Sequence, residues 1–289
     1  MLDVLLALLP AAAAGVVIFG IKALWVILTT VIAAVLAEAL FNLITGKKQT
    51  IGDLSAAVTG LLLGLNLSTA VPLWQCAVGA VFAILVVKCF FGGLGRNFAN
   101  PAISGRVFML LAFTGTVAGG AAPVIVDLES SATPLAQMAA GETLPSLKDM
   151  LLGLHGGAIG ETCILALVLG FAYLMLRKVI RWYTPVAFIA TVFVLSLIGY
   201  GFDFSFALNQ ILAGGLFLGA IFMATDYVST PVTNSGRALF GIGCGIITFV
   251  IRKFCAYPEG VSISILCMNL LVPFLDRITA TVPLGGKRK

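Results

Sequence analysis

The chain has 289 residues, of which 60% are hydrophobic and only 10% are charged, with a formal net charge of +5. Soluble domains carry about 25% charged residues, so a mean hydropathy of +1.12 excludes an ordinary soluble enzyme and predicts an all-α polytopic membrane protein. The positive charge is then a signal of membrane topology, and no nucleic-acid partner is expected. Six cysteines without a C-x-x-C pair, together with the single histidine His155, predict no metal site.

Ten apolar runs along the chain predict about ten transmembrane helices in one integral membrane domain covering residues 1–289. Several runs are shorter than the ~20 residues that a straight crossing needs, so broken helices are expected. Five spans in each half would make two inverted five-helix repeats, 1–118 and 159–289, joined by a loop at 119–158. The predicted spans are Leu2–Phe19, Ala23–Leu43, Leu54–Leu67, Val71–Phe90, Pro101–Ala118, Ile159–Leu176, Thr184–Tyr200, Phe206–Ala224, Ala238–Phe254 and Val261–Leu275.

The distribution of Lys and Arg predicts the orientation of these spans. With the N-terminus in the cytoplasm, thirteen of the seventeen basic residues fall on the inner side. This predicts a multi-pass protein of the cytoplasmic membrane of a prokaryote, with both termini in the cytoplasm. The long polar loop 119–158 then lies outside. The four exceptions are Lys22, Lys148, Arg252 and Lys253.

The outer loop contains the polar run Asp127-Leu-Glu-Ser-Ser-Ala-Thr133. Ser, Ala and Thr commonly fill surface loops without any function. The functional alternative is an attachment site, because a hydroxyl among small residues can be esterified if a modifying enzyme reaches it from water. Pro134 restricts Thr133 to an extended backbone, which we expect to hold its side chain away from any helix.

Two further stretches, Gly92–Ala102 and Thr225–Arg237, are too polar for ordinary spans and too apolar for free loops. Each is either a cytoplasmic turn or irregular backbone that lines a cavity, since bare backbone is not tolerated in lipid. We expect their polar residues to line a cavity or a subunit contact on the cytoplasmic side. These residues are Asn97, Asn100, Arg106, Asp226 and Arg237.

Four acidic residues, Glu38, Asp53, Glu161 and Asp226, fall within or beside predicted spans, where charge is costly. Asp53 and Glu161 precede helical runs and fit helix N-termini, where the helix dipole favours an anion. Glu38 lies late in the second span without such a role and is the better candidate for an ion path.

Four blocks of the sequence together resemble the RnfD/NqrB family, the membrane subunits of ion-translocating oxidoreductases. The resemblance runs from about Met1 to Leu284. The blocks are Gly92-Gly-Leu-Gly-Arg-Asn-Phe-Ala-Asn-Pro-Ala102, the run Asp127–Thr133, Gly160-Glu-Thr162 and Ala224-Thr-Asp-Tyr-Val-Ser-Thr-Pro-Val-Thr233.

The resemblance implies that Thr133 carries FMN through a phosphoester bond. Asp127, Ser130, Ser131 and Ala132 match the surrounding pattern of the family's attachment motif. The family usually has Gly where this chain has Ser131, and both residues are small. The resemblance also implies a second, noncovalent flavin of the riboflavin type, and the candidate cofactor-binding residues outside the loop are Asn97 and Asn100.

By the same resemblance, the chain is one subunit of an Rnf-type complex that moves electrons between ferredoxin and NAD and couples this to Na⁺ or H⁺ transport. It would have no catalytic residues and no standalone activity. The implied partners are the membrane subunits RnfA and RnfE, the flavin subunit RnfG, the peripheral subunits RnfB and RnfC, a flavin transferase and the bilayer. The alternative is a solute or ion channel-transporter built on inverted repeats without a redox cofactor, which needs no attachment motif.

Overall fold

The computed structural model of the chain describes residues 1–124, 132–142, 144–255 and 259–280. Over these residues the protein is helical, and the only extended pairing is a bridge between Ala121 and Gly157. The predicted all-α class is therefore confirmed for the described part of the chain. The helices are α1 Leu2–Phe19, α2 Ile21–Ile44, α3 Ser55–Leu65, α4 Leu73–Phe82 continued by the π-helical segment Ala83–Cys89, α5 Pro101–Ala112, α6 Thr114–Val117, α7 Pro134–Ala140, α8 Leu147–Leu152, α9 Ile164–Leu176, α10 Tyr183–Gly199, α11 Phe204–Leu212, α12 Leu216–Leu218 continued by the π-helical segment Gly219–Met223, α13 Asn234–Phe254 and α14 Val261–Thr279.

Among the described residues, four helices, α1, α2, α13 and α14, are long and apolar enough to cross a membrane. The remaining apolar helices are shorter, and two of the predicted spans are interrupted. Span Pro101–Ala118 divides at Phe113, where α5 ends and α6 begins. Span Phe206–Ala224 bends by 62° between α11 and α12, at a break where Gly214 has a φ of 70°. The structure thus contains a broken helix pair of the expected kind.

The outer surface of the described helices is apolar, and several polar side chains are buried. Val17, Leu36 and Ile278 are each more than half exposed, whereas Glu38 and Lys88 are almost fully buried. This is the reverse of a soluble protein. It is the arrangement that a hydrocarbon environment requires, because lipid solvates Val and Leu but not a charge.

Glycines allow the helices to pack with their backbones in close contact. A Cβ on Gly60 of α3 would lie 2.7 Å from the carbonyl oxygen of Thr30 in α2, and a Cβ on Gly170 of α9 would lie 2.3 Å from that of Ala7 in α1. Neither position could hold a side chain without moving a helix. Small residues at such contacts are typical of membrane helices, which associate through packing because lipid is as apolar as their side chains.

Both π-helical segments lead directly into the irregular connections that the sequence predicts. The first ends at Cys89, before the connection to Pro101, and the second ends at Met223, before the connection to Asn234. A π-turn widens the helix and is common beside functional sites. The two connections therefore start from helix ends of the same unusual form.

We predict that Gly60→Val separates α3 from α2. The added side chain meets backbone atoms of Thr30 and Val31 at 2.7 Å, and overpacking of this kind costs about 1–3 kcal/mol. Unfolding of the purified protein by SDS titration measures the loss. Gly115→Ala is the matched control, since a Cβ there meets nothing within 4 Å; equal stability of the two variants would contradict the close contact.

Candidate functional site

A polar cleft lies where α1, α3 and the two irregular connections meet. The residues that define it are Ser55, Lys88, Asn97, Asn100 and Asp226. Apolar side chains of α3, α9 and the second π-segment complete its walls. Asn97 and Asn100 thus share one cavity with Asp226, as the sequence predicts.

Asn100 connects the two irregular segments. Its side-chain oxygen accepts hydrogen bonds from the N–H groups of Ala102 (2.9 Å) and Ile103 (3.3 Å), so it caps α5. Its amide nitrogen donates to the carbonyl of Met223 (3.1 Å), which ends the second π-segment. Asn97 donates to the carbonyl of Ala99 (2.9 Å). The cleft is therefore preorganised by amide side chains that are themselves buried.

A buried ion pair closes one side of the cleft. The ammonium of Lys88 lies 2.9 Å from both carboxylate oxygens of Glu38 and 2.5 Å from the hydroxyl of Ser55. The hydroxyl of Thr50 also donates to Glu38 (2.6 Å). Glu38 is therefore one half of a satisfied network, and its place on an ion path stays a prediction. Lys88 was not among the predicted site residues, although a lone cation within the apolar run Val71–Phe90 is itself a signal of a buried partner.

Asp226 and Arg237 lie at the other side of the cleft. The hydroxyl of Ser229 donates to the Asp226 carboxylate (2.9 Å), while burial raises the pKa of that carboxyl group. Arg237 instead lines an adjoining basic pocket with Lys178 and Arg181. Its Nε donates to a backbone carbonyl in the second connection. Both residues thus line a polar pocket, as expected, but the two pockets are different and adjoin each other.

A second cavity, the Thr133 cavity, is lined by the loop after α6, by Thr133 and by charged residues from three segments. Thr133 and Ala132 lie within the described residues, whereas Asp127, Ser130 and Ser131 of the predicted motif lie outside them. The Thr133 side chain is half-buried. Thr133 lines the cavity beside small and apolar residues of the wall. These are Val107, Leu110, Leu111, Val117, Ala118, Gly119 and Gly120.

The backbone of Thr133 is extended (φ −72°, ψ 151°), as Pro134 predicts. The expectation that its side chain stands clear of any helix is wrong. The hydroxyl oxygen accepts from the N–H of Ala136 at 3.3 Å and caps α7. The same proline explains both results, because Pro at the first helical position leaves an extended residue before it as the N-cap.

Arg106 also lines the Thr133 cavity, so the expectation that it lies on the same side of the protein as Asn100 is wrong. It lies six residues into α5, which at about 1.5 Å per residue carries it about 9 Å from the cleft. Its Nη2 contacts the Glu259 carboxylate at 2.6 Å. Glu259, just before α14, carried no sequence signal, since its partner is 153 residues away.

Glu161 is the most buried carboxylate of this cavity, 7% exposed. Its Oε1 accepts from the N–H of Ala158 (3.0 Å), and α9 starts later with no side-chain cap. The expectation that Glu161 caps a helix is therefore wrong. Asp53 does accept from the N–H of Ser55 (2.7 Å) at the start of α3, so the same expectation is confirmed there.

The cleft and the Thr133 cavity lie at opposite ends of α1. Met1 and Val4 line the cleft, whereas the carbonyl of Ile18 accepts from the N–H of Val124 (2.8 Å), beside the wall of the other cavity. Apolar exterior, buried charge and a cavity at each end define a multi-pass helical membrane protein with two internal polar sites. The chain belongs to the NQR2, RnfD, RnfE family, whose model matches residues 1–285. The resemblance drawn from the four sequence blocks is thereby confirmed.

Relatives extend this match over nearly the whole chain. The D subunit of the Na(+)-translocating ferredoxin:NAD(+) oxidoreductase complex of Acetobacterium woodii is 44% identical, over 96% of this chain and 88% of the relative. The D subunit of the proton-translocating ferredoxin:NAD(+) oxidoreductase complex of Clostridium ljungdahlii is 40% identical, over 100% and 92%. The D subunit of the ion-translocating oxidoreductase complex of Escherichia coli K12 is 34% identical, over 100% and 94%.

We predict that Lys88→Met destabilises the protein by about 3–5 kcal/mol, because it leaves the Glu38 carboxylate buried without a counter-charge. The double variant Lys88→Met/Glu38→Gln should recover part of that loss. Unfolding by SDS titration measures both. Asp3→Asn is the control, because it breaks the solvent-exposed contact to Arg177 (3.2 Å) and should change stability little. A double variant no more stable than Lys88→Met would contradict the pairing.

Proposed function

We propose that this chain is the flavin-carrying membrane subunit of an ion-translocating electron-transport complex. The observation that carries the proposal is that Thr133, with an extended backbone, lines a cavity with an apolar wall. The names of the relatives supply the reaction: electron transfer between ferredoxin and NAD(+), with translocation of Na(+) or protons. The chain would contribute cofactor placement, with no catalytic residue of its own.

The residues around Thr133 suit a covalently bound FMN. Thr133 is only half-buried, and Gly119 and Gly120, which carry no side chain, line the same cavity. The Nε of Arg106 has no hydrogen-bond partner among the described residues and faces the same cavity, where it could donate to an anionic group. An ester oxygen on Thr133 could still accept from Ala136. When bound, FMN supplies the one- and two-electron chemistry, and the chain holds and orients it.

The polar cleft is the proposed site of a second, noncovalent flavin. Its apolar wall, which includes Leu62 and Phe222, offers a surface for a ring. Lys88 and Asn97 place a cation and a buried amide at the edge of that space. Asn100 would act indirectly, because its side chain is already committed to α5 and Met223.

We further propose that the helices form two inverted five-helix halves. Contacts between the halves and within them support this. Helix α1 packs on α9, and these belong to the first span of each half. Helix α5 packs on α14, and these belong to the fifth span of each half. Within the halves, Gly79 of α4 faces Met109 of α5, and Gly243 of α13 faces Met268 of α14. In this arrangement the cleft and the Thr133 cavity would lie on opposite sides of the membrane. The basic residues predict that the cleft is on the cytoplasmic side and the Thr133 cavity is outside.

The partners of the chain follow from the same proposal. The membrane subunits RnfA and RnfE would surround it in the cytoplasmic membrane. The flavin subunit RnfG would meet it on the outer side, and the peripheral subunits RnfB and RnfC on the inner side. A flavin transferase acting outside the membrane would modify Thr133. Copurification of these subunits with the tagged chain tests the assignment, and isolation of the chain alone from its native membrane would contradict it.

We predict that Thr133→Ala abolishes in-gel flavin fluorescence when the chain is produced with its transferase, whereas Thr133→Ser retains some. Ser146→Ala is the matched control, because Ser146 caps α8 through the N–H of Asp149 at the same 3.3 Å. Each alanine variant loses one cap, worth about 0.5–2 kcal/mol. Only Thr133→Ala should lose the flavin. Covalent flavin persisting in Thr133→Ala, or no added FMN mass in the wild type, would overturn the attachment site.

The same variant tests the second flavin. Native Thr133→Ala protein should still be yellow and should release its flavin on denaturation. A colourless Thr133→Ala protein with normal stability would count against a noncovalent flavin in the cleft. A colourless wild type would favour the channel-transporter alternative.

Three exposed positions, Lys48, Ser146 and Ser205, allow the predicted orientation to be tested by cysteine labelling. In intact cells an impermeant thiol reagent should label Ser146→Cys and Ser205→Cys but not Lys48→Cys. Inversion requires Lys48→Cys and Ser205→Cys to respond oppositely, since the α2–α3 and α10–α11 connections would face opposite sides, and the basic residues predict which of them is labelled. The parent protein for these cysteine variants should have Cys255 and Cys267 replaced, because their exposed thiols would also react with the reagent. Labelling of Lys48→Cys together with protection of Ser146→Cys would show that the orientation is opposite to the predicted one.

A further inference from the structure

The Thr133 cavity holds several buried polar atoms that have no hydrogen-bond partner among the described residues. They include Oε2 of Glu161, Oε1 of Glu259 and the hydroxyl of Ser68. All three residues line the cavity, and Glu161 and Ser68 are 7% and 3% exposed. Native proteins leave few such groups unsatisfied, because each costs about 1–3 kcal/mol. These unpartnered atoms therefore indicate that the cavity binds a ligand.

Two of these oxygens, from Glu161 and Glu259, lie near the backbone at Gly215 together with the side-chain oxygen of Asn66. A Cβ placed there would lie 3.0 Å from Oε2 of Glu161, 3.8 Å from Oε1 of Glu259 and 3.9 Å from Oδ1 of Asn66. The amide nitrogen of Asn66 is turned away and donates to Leu62 (2.9 Å), so its oxygen faces the group. Three side-chain oxygens from three separate segments thus surround the space that the glycine leaves open.

Hard cations prefer oxygen ligands of this kind. The basic residues nearby do not occupy the free oxygens. Arg106 contacts the other oxygen of Glu259, and Arg252 donates to the backbone carbonyls of Gln210, Ala213 (3.2 Å) and Glu259 (3.4 Å). The charged groups that face Glu161 are Glu259, Arg106 and Arg252, whose charges with its own sum to zero.

We propose that Glu161, Glu259 and Asn66, around Gly215, form a binding site for a monovalent cation, Na⁺ or a proton. A monovalent ion leaves the cluster with one excess positive charge, whereas a divalent ion leaves two, so the cluster favours the former. The same balance keeps binding weak and exchangeable, as an ion in transit requires. The inference rests on the proposed ion-translocating function only for the choice of ions.

The proposed cation site lies beside the proposed flavin attachment residue. Thr133 and Glu161 line the same cavity, so a cation here would sit close to a group whose charge changes on reduction. Electrostatic coupling between the two positions is then direct, since charges in a poorly solvated interior interact strongly. If Thr133 carries a flavin, occupancy of the cation site would respond to the redox state of that flavin.

Gly215→Ala tests the site without changing any charge. Its φ of −74° is accessible to alanine, and the added methyl would occupy the space among the oxygens. Glu161→Gln removes the charge and keeps the shape. Gly119→Ala is the matched control, because Gly119 lines the same cavity and a Cβ there meets nothing within 4 Å.

The measurement is the thermal midpoint of the full-length chain, made without its flavin transferase, in NaCl and in choline chloride at equal concentration. A ligand that binds the folded state raises this midpoint. We expect Na⁺ to raise it for the wild type and Gly119→Ala but not for Gly215→Ala or Glu161→Gln. Equilibrium dialysis with radioactive sodium should show the same loss of binding in the two site variants.

The proton is distinguished by pH. If the proton is the ligand, Na⁺ has no effect, and a pH-dependent step in the wild-type midpoint in choline chloride disappears in Glu161→Gln. The proposal is overturned if neither response occurs, or if Gly215→Ala and Glu161→Gln respond like the wild type. Because the chain carries no covalent flavin in this test, failure here leaves the Thr133 assignment to its own experiment.

Discussion

The side chain of Asn100 holds the two irregular connections of this protein in one place. Its oxygen caps α5. The backbone N–H of Asn100 donates to the side-chain amide oxygen of Asn269 (3.1 Å), which fixes the backbone at this position. The side-chain nitrogen of Asn100 fixes the carbonyl of Met223 at the end of the second π-segment. Backbone that leaves a helix inside a membrane must satisfy its polar groups within the protein. Asn100 meets that requirement for both connections, and the cleft exists between them as a result.

Two ion pairs extend the same requirement to charged side chains. Lys88–Glu38 lies at the cleft and Arg106–Glu259 at the Thr133 cavity, each joining elements that are distant in sequence. The first pair is complete, with Ser55 and Thr50 filling the remaining positions. The second leaves one oxygen of Glu259 unpartnered among the described residues. The complete network of Lys88 and Glu38 stabilises the fold, whereas the unpartnered oxygen of Glu259 can still bind a ligand. The ion pairs at the two ends of the molecule therefore suit different roles.

The short helices are consistent with this arrangement. Helices α3 and α5 have only 11 and 12 residues, too few to cross about 30 Å of hydrocarbon. They can end inside the protein because glycines bring them into backbone contact with their neighbours, as Gly60 does against Thr30. Their ends then carry the capping and cavity-lining residues of both sites. Close packing of small residues therefore creates the interior positions at which polar chemistry becomes possible.

The sequence by itself determined the class of the protein, its irregular connections, the extended backbone at Thr133 and its family. Each of these depends on local properties: hydropathy over a span, Gly and Asn content, and a proline that restricts its neighbour. Only the tertiary structure decided that Lys88 neutralises Glu38, that Arg106 joins Glu259 rather than Asn100, and that Glu161 faces a cavity. Those partners lie up to 153 residues apart. No periodic pattern along the chain encodes such a distance, because it is set by how the helices pack against one another.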